Sequence, residues 1–183
     1  MSLVELFQTP LYLNVDTVDV APLEQQILKM SKQPSVVISN DGGWQSQSKD
    51  LTLIDDIIKR HAKKYFRLLG NETVKYNITA QWANINSPGC SNLAHSHGTS
   101  DFSGVFYISV PPESGDLYLH NFHAPANPLG HVFPYSAHTK TGHRIVPEAG
   151  LMAMFPGNTI HSVTANRSKK DRISVAFNLD IAK

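Results

Sequence analysis

Three histidines and one arginine are the residues best equipped for chemistry: His95 and His97, one residue apart, then His161, then Arg172 with Ser174 two positions on. Side chains two apart on a strand share a face, so His95 with His97, and Arg172 with Ser174, can each point into one cavity. Two imidazoles from one strand and a third from elsewhere make a metal site with open positions, as oxygen-activating iron(II) chemistry requires. A guanidinium inside the same barrel can grip a carboxylate through two parallel hydrogen bonds. With nine histidines in the chain, the His-x-His spacing carries little weight alone. Its surroundings carry it: His95-Ser96-His97 follows the turn Pro88-Gly89 and precedes the strand-like run Gly104 to Ser109. His161 follows the apolar run Leu151 to Phe155 and the turn Pro156-Gly157, and Arg172 opens the last strand-like segment. On that segment Ile173, Val175, Phe177 and Leu179 alternate with Arg172, Ser174, Ala176 and Asn178. An arginine turned inward there needs an anion to meet it; the alternative is a solvent-facing Arg172 paired with Asp171 or Asp180.

These residues sit in a chain of 183 residues, enough for one well-buried core and too short for two ordinary domains. Sixteen basic against fifteen acidic residues leave a net charge of +1, and no basic run exceeds Lys63-Lys64 or Lys169-Lys170. No nucleic-acid or membrane partner is expected from such a balance. Cys90 is the sole cysteine, which excludes an intramolecular disulfide and fits a reducing compartment. Met1 to Val15 lacks the basic flank of a signal peptide, and no apolar run reaches the length of a membrane span. A cytoplasmic protein is the expectation, and the three Asn-x-Ser/Thr sequons are then chance matches.

The hydrophobic spacing predicts two helices and then many strands, in a single domain. Pro22 suits a first helical turn, and Leu23, Ile27 and Met30 recur at helical spacing, giving a helix over 20–33. Thr52 with Asp55 resembles a capping box, and Leu53, Ile54, Ile57, Ile58, Tyr65, Phe66 and Leu69 form an apolar stripe ending at Gly70. This second helix should cover one face of a sheet, with His61 as a surface or packing residue. From Thr73 the period becomes two, placing Val74, Tyr76, Ile78, Ala80 and Trp82 on one face and Lys75, Asn77, Thr79 and Gln81 on the other. Further strands are expected at 104–110, 116–121, 143–146, 151–155, 159–165 and 172–181, with turns at Pro111-Pro112, Pro147 and Pro156-Gly157. The fold class expected is mainly β with N-terminal helices, a jelly roll: 1–72 as helical support with an N-terminal strand, 73–183 as the β core. Phe122 to Thr141, with three prolines and three histidines and no periodicity, reads as a long loop of the kind that serves as a lid or binding element.

Taken in order, Trp82-Ala83-Asn84, Pro88-Gly89, His95-Ser96-His97, Ser103 to Tyr107, Gly150 to Pro156, His161 and Arg172-Ile173-Ser174 resemble the 2-oxoglutarate and iron(II)-dependent oxygenase superfamily. Among its members they look most like small bacterial and phage proteins distantly similar to prolyl hydroxylases, over roughly Tyr76 to Asp180. The resemblance implies a double-stranded β-helix, a cupin-like barrel. It implies that His95 and His161 bind Fe(II), and that Arg172 holds the far carboxylate of 2-oxoglutarate with Tyr107 and Ser174. Asn84 would line the cosubstrate pocket. O2 would be the oxidant, the product an alcohol, and succinate and CO2 the by-products. The family places a carboxylate at the second position of its metal motif, where this chain has His97. Either His97 is a replacement ligand, which shared facing favours, or Asp101 swings in to supply the anion.

The same residues also echo a cupin, which would hold a metal on three histidines, with or without Asp101, and use no 2-oxoglutarate; Arg172-x-Ser174 has no task in that chemistry. A closed, metal-stabilised binding module is the non-catalytic alternative. The substrate stays open, a small molecule or a peptide. His120, His123, His131, His138 and His143 stand in or beside the loop, as substrate contacts or as solvent-facing residues, and Trp44 is a pocket wall or a packing residue. An edge strand at Leu3 to Phe7 could pair two copies into a homodimer.

Overall fold

The computed structural model describes residues 8–48, 51–121 and 141–182. The expected edge strand at Leu3 to Phe7 and all but the last residue of the expected loop, Phe122 to Thr141, lie outside them.

Among the described residues, two helices and eleven strands follow one another. They are β1 (Tyr12–Val15), α1 (Ala21–Met30), β2 (Asn40–Asp41), β3 (Trp44–Gln45), α2 (Thr52–Leu68), β4 (Tyr76–Asn86) and β5 (Ser91–His95). Then come β6 (Phe102–Ser109), β7 (Leu117–His120), β8 (Gly142–Ile145), β9 (Leu151–Pro156), β10 (His161–Val163) and β11 (Arg172–Ile181). Six strands form one sheet in the order β1-β9-β6-β11-β4-β3, and five form a second in the order β2-β5-β10-β7-β8. All the pairings are antiparallel. This is the jelly roll that the strand punctuation predicts.

Alternation divides the six-stranded sheet into a helix-facing side and a barrel-facing side. Met152 and Met154 of β9, and Ile173, Val175, Phe177 and Leu179 of β11, join Ile54, Ile58, Ala62 and Phe66 of α2 in the larger core. Tyr107 of β6 and Leu151, Ala153 and Phe155 of β9 point the other way, meeting Leu117 and Leu119 of β7 inside the barrel. Each helix thus buries an apolar stripe on the sheet that carries Arg172 from behind.

The N-terminus of α2 departs from the capping-box expectation. The residue before the helix is Leu51, with no side-chain cap, and Thr52 is already helical. Gln81 of β4 does the work instead: its Oε1 accepts from the Leu51 N–H (2.8 Å) and its Nε2 donates to Asp55 Oδ1 (2.6 Å). A side chain from the sheet thereby satisfies one of the free backbone donors at the helix start and fixes the helix to the strand. His61 is fully buried, its Nδ1 beside Tyr12 Oη (2.8 Å) and its Nε2 beside Asp16 Oδ2 (3.0 Å), so it is a packing residue that ties α2 to β1.

Strand β4 corrects a second expectation. Against β11, Asn178 pairs with Ala80 and Leu179 with Ile78, so Thr79 is an extra residue, a β-bulge. The bulge swaps faces: Tyr76 and Ile78 lie on the helix side with Ala83 and Ile85, whereas Trp82 and Asn84 line the barrel. Trp82 therefore does not share a face with Ile78. Strands β7 and β8 form a hairpin, Leu117 opposite Ile145 and His120 opposite Gly142, extended by an Asn121 N–H bond to the Thr141 carbonyl (2.8 Å).

Candidate metal and anion site

The three histidines converge from three different local structures. His95 ends β5 and pairs directly with His161 at the start of β10. His97 lies beyond the strand, so the expected two-apart pairing on one strand face is not how it reaches the cluster. Its N–H donates to the Gly157 carbonyl (2.8 Å), while the Gly157 N–H donates to the Asp101 carbonyl (3.0 Å). This clasp sets the turn after β5 against the turn after β9. A Cβ at Gly157 would lie 2.0 Å from the Ser100 carbonyl oxygen and 2.8 Å from that of His97, so only glycine allows the approach.

Ring centroids stand 5.0 Å apart for His95 and His97, 4.3 Å for His95 and His161, and 5.3 Å for His97 and His161. One ligand nitrogen from each lies within 4.8 Å of the others, close enough for one ion. His95 Nδ1 is 2.7 Å from the Leu93 carbonyl and His161 Nδ1 is 2.9 Å from that of Thr159. A carbonyl only accepts, so both Nδ1 atoms carry a proton, which leaves Nε2 of each ring as the nitrogen able to ligate a metal. Burial holds the His161 imidazole down at about 3 and, with the neighbouring His95, His97 at about 4. Both rings are neutral at pH 7, the form that binds metal. Asp101 takes no part: its Oδ2 accepts from the Ile181 N–H (2.8 Å).

On the facing sheet Arg172 is 1% exposed, the largest fully buried side chain among the described residues. Its Nη1 donates to the carbonyls of Ser114 (3.0 Å) and Gly115 (3.2 Å), while its buried Nε has no hydrogen-bond partner among the described residues. Gly115 has φ +94°, and a Cβ there would meet the Thr164 carbonyl at 2.2 Å and Arg172 Nη1 at 3.0 Å, so this contact too depends on glycine. Among the described residues no carboxylate forms an ion pair with Arg172. Ser174 pairs with Asn84 on one side and Tyr107 on the other, which sets three buried polar side chains in a row across β4, β11 and β6. Burial raises the Tyr107 phenol above its usual range, so it stays protonated and can donate. The histidines, Arg172 and this row line a single cavity. A separate groove between β1 and α2, lined by Leu11, Leu13, Lys64 and Leu68, has no histidine or acid among the described residues that line it.

Asn92 and Trp82 are among the lining residues that the sequence reading does not place in the cavity. Val163 pairs with Asn92 while His161 pairs with His95, so β5 carries an extra residue between them, and Asn92 lines the cavity with His95. Trp82, turned inward by the Thr79 bulge, stands 5.4 Å from the His97 ring. Neither bulge has a signature in the residue types. Trp44 is not a pocket wall: its Nε1 donates to the Gln33 carbonyl (2.9 Å) and its ring packs on the helix-side core. His120 Nε2 lies 2.9 Å from Ser162 Oγ, and His143 is exposed at the β7–β8 hairpin.

The donor set suits a divalent metal of intermediate softness, and the buried guanidinium, which has no carboxylate partner among the described residues, suits a carboxylate. The model of a family described as "Putative 2OG-Fe(II) oxygenase" matches residues 80–178, more than half of the chain. No curated protein matches the sequence. Among solved structures, a Pseudomonas putida prolyl-4-hydroxylase superposes with TM-score 0.63 at 14% identity, covering 94% of this chain and 93% of that one. The viral collagen prolyl hydroxylase of Paramecium Bursaria Chlorella virus-1, in its 2OG complex, gives 0.58 at 13% identity over 92% and 94%. HygX from Streptomyces hygroscopicus, with nickel and 2-oxoglutarate bound, gives 0.58 at 12% identity over 94% and 83%. At such identities the likeness is one of fold.

Proposed function

We propose, from the premise that this chain belongs to the 2OG-Fe(II) oxygenase family, that it is a dioxygenase hydroxylating a small-molecule or peptide substrate. One observation carries the reading: three imidazoles converge in the cavity that also holds a buried guanidinium with no carboxylate partner among the described residues.

His95, His97 and His161 would hold iron(II) through one ring nitrogen each, and the Leu93 and Thr159 carbonyls keep the His95 and His161 rings oriented. Arg172 grips the far carboxylate of 2-oxoglutarate, Ser174 and Tyr107 donate to it, and Asn84 borders it. The Ser114 and Gly115 carbonyls hold the guanidinium in place before the anion arrives. Phe155, Leu117 and Val163 wall the cavity and exclude water. Bound iron(II) and 2-oxoglutarate supply the oxidising chemistry, in which O2 converts the cosubstrate to succinate and CO2 and one oxygen atom enters a C–H bond.

The test is anaerobic addition of iron(II) and then 2-oxoglutarate, with the visible charge-transfer band of a bidentate chelate as the expected result. A cupin-type metal protein acting without 2-oxoglutarate, or a closed metal-stabilised binding module, shows no such band.

A further inference from the structure

The cavity has an unbalanced charge. A divalent metal brings two positive charges, the three neutral imidazoles return none, and Arg172 adds a third. No Asp or Glu is among the described residues that line the cavity. Asp101 is turned to the Ile181 N–H, and Asp116, whose field reaches Arg172, forms an ion pair with Arg144. The stretch 122–140 contains no acidic residue at all. A cosubstrate with two carboxylates cancels two of the three charges. One remains among Leu117, Phe155 and Val163, where an uncompensated charge is poorly solvated.

We infer that the substrate carries a negative charge of its own, a carboxylate seated beside the metal, and that Asn92 helps to receive it. The inference rests on the oxygenase reading. Asn92 Oδ1 accepts from Asn86 Nδ2 (3.0 Å), which leaves the Asn92 amide hydrogens for an acceptor in the cavity. A carboxylate is such an acceptor, and it supplies the negative charge that the three imidazoles do not.

The experiment titrates acetate, acetamide and chloride into the full-length protein loaded with iron(II) and 2-oxoglutarate without oxygen, following the charge-transfer band. Acetate should perturb the band saturably and at least about tenfold more tightly than acetamide, its neutral counterpart of similar size. His97→Asp, which returns one negative charge to the metal, should lose about tenfold or more of the acetate affinity. Asn92→Ala should weaken acetate about threefold to tenfold, the cost of one hydrogen bond. Acetamide binding as well as acetate, or unchanged acetate affinity in His97→Asp, would overturn the inference. Chloride binding as tightly as acetate would mark a small-ion site and overturn the substrate assignment. Should His97→Asp fail to take up iron, the acetate–acetamide comparison in the unaltered protein decides. A missing band removes the oxygenase reading and the inference with it, whereas a normal band with these failures removes the inference alone.

Discussion

His161 stands directly across the β5–β10 pairing from His95, with ring centroids 4.3 Å apart and each Nδ1 bonded to a carbonyl two residues before it. The two rings are presented the same way from adjacent strands, so their free nitrogens are aimed before any ion binds.

As a ligand in the proposed site, His161 should be hard to replace. His161→Ala should lower iron(II) affinity by more than the 10- to 100-fold typical of losing an outer-shell partner, measured by anaerobic calorimetry. A variant that binds iron as the parent does would remove His161 from the site.

Arg172→Ala should separate the two halves of the cavity. Iron binding persists, while 2-oxoglutarate affinity falls about 10- to 100-fold, as expected for lost hydrogen bonds to a charged group. In a thermal-shift assay of the iron-loaded protein, 2-oxoglutarate at about 100 times its Kd should stabilise the parent by roughly 2.7 kcal/mol. At the same concentration the variant should show much less. Equal shifts would mean that the arginine does not hold the cosubstrate.

Acid should destabilise the metal-free protein through its neutral histidines. In the unfolded chain a histidine titrates near 6.5, but His97 and His161 are held at about 4 and about 3 by burial. Below about pH 6.5 the unfolded chain therefore binds more protons. Stability falls as pH drops, until about 4 for one group and about 3 for the other. His97→Gln should flatten the dependence of Tm on pH between about 6.5 and 4; parallel curves for the two proteins would contradict the cause assigned here.

Gly157→Ala should injure the metal site from outside it. The new methyl meets the His97 and Ser100 carbonyls, opening the clasp that carries the His97 backbone. Iron affinity should fall while 2-oxoglutarate-independent features, such as the α2 contacts, stay intact by circular dichroism. Unchanged iron affinity would show that the turn adjusts without moving the ring.

Much of this was legible in the residues where a strand keeps a regular pleat. β11 alternates without interruption from Arg172 to Asn178, so both its apolar face and its inward arginine follow from the sequence. β4 does not, because Thr79 is an extra residue only relative to β11, and which partner a strand meets is a tertiary fact. The histidine pair was identified for a reason that proved incomplete: the strand stops at His95, and a contact to Gly157, sixty residues on, brings His97 into place. The two-residue strands β2 and β3 are too short for any period to register. The start of α2 was misread because its cap comes from Gln81, remote in sequence.

The β7–β8 hairpin has a consequence for how such a protein can change. Its root is tied on one side to the strand bearing His161, through the Leu119 pairing, and its far end closes with the Asn121–Thr141 bond. The described rungs of the ladder all lie on the near side of that bond, and for a flexible connection in general even a doubled length costs only about 0.6 kcal/mol in closure entropy. Under the proposed function, changes in chain length between Asn121 and Thr141 can be tried during evolution while His95, His97, His161 and Arg172 are inherited unchanged, so that a lineage can acquire new substrates without rebuilding its reaction centre.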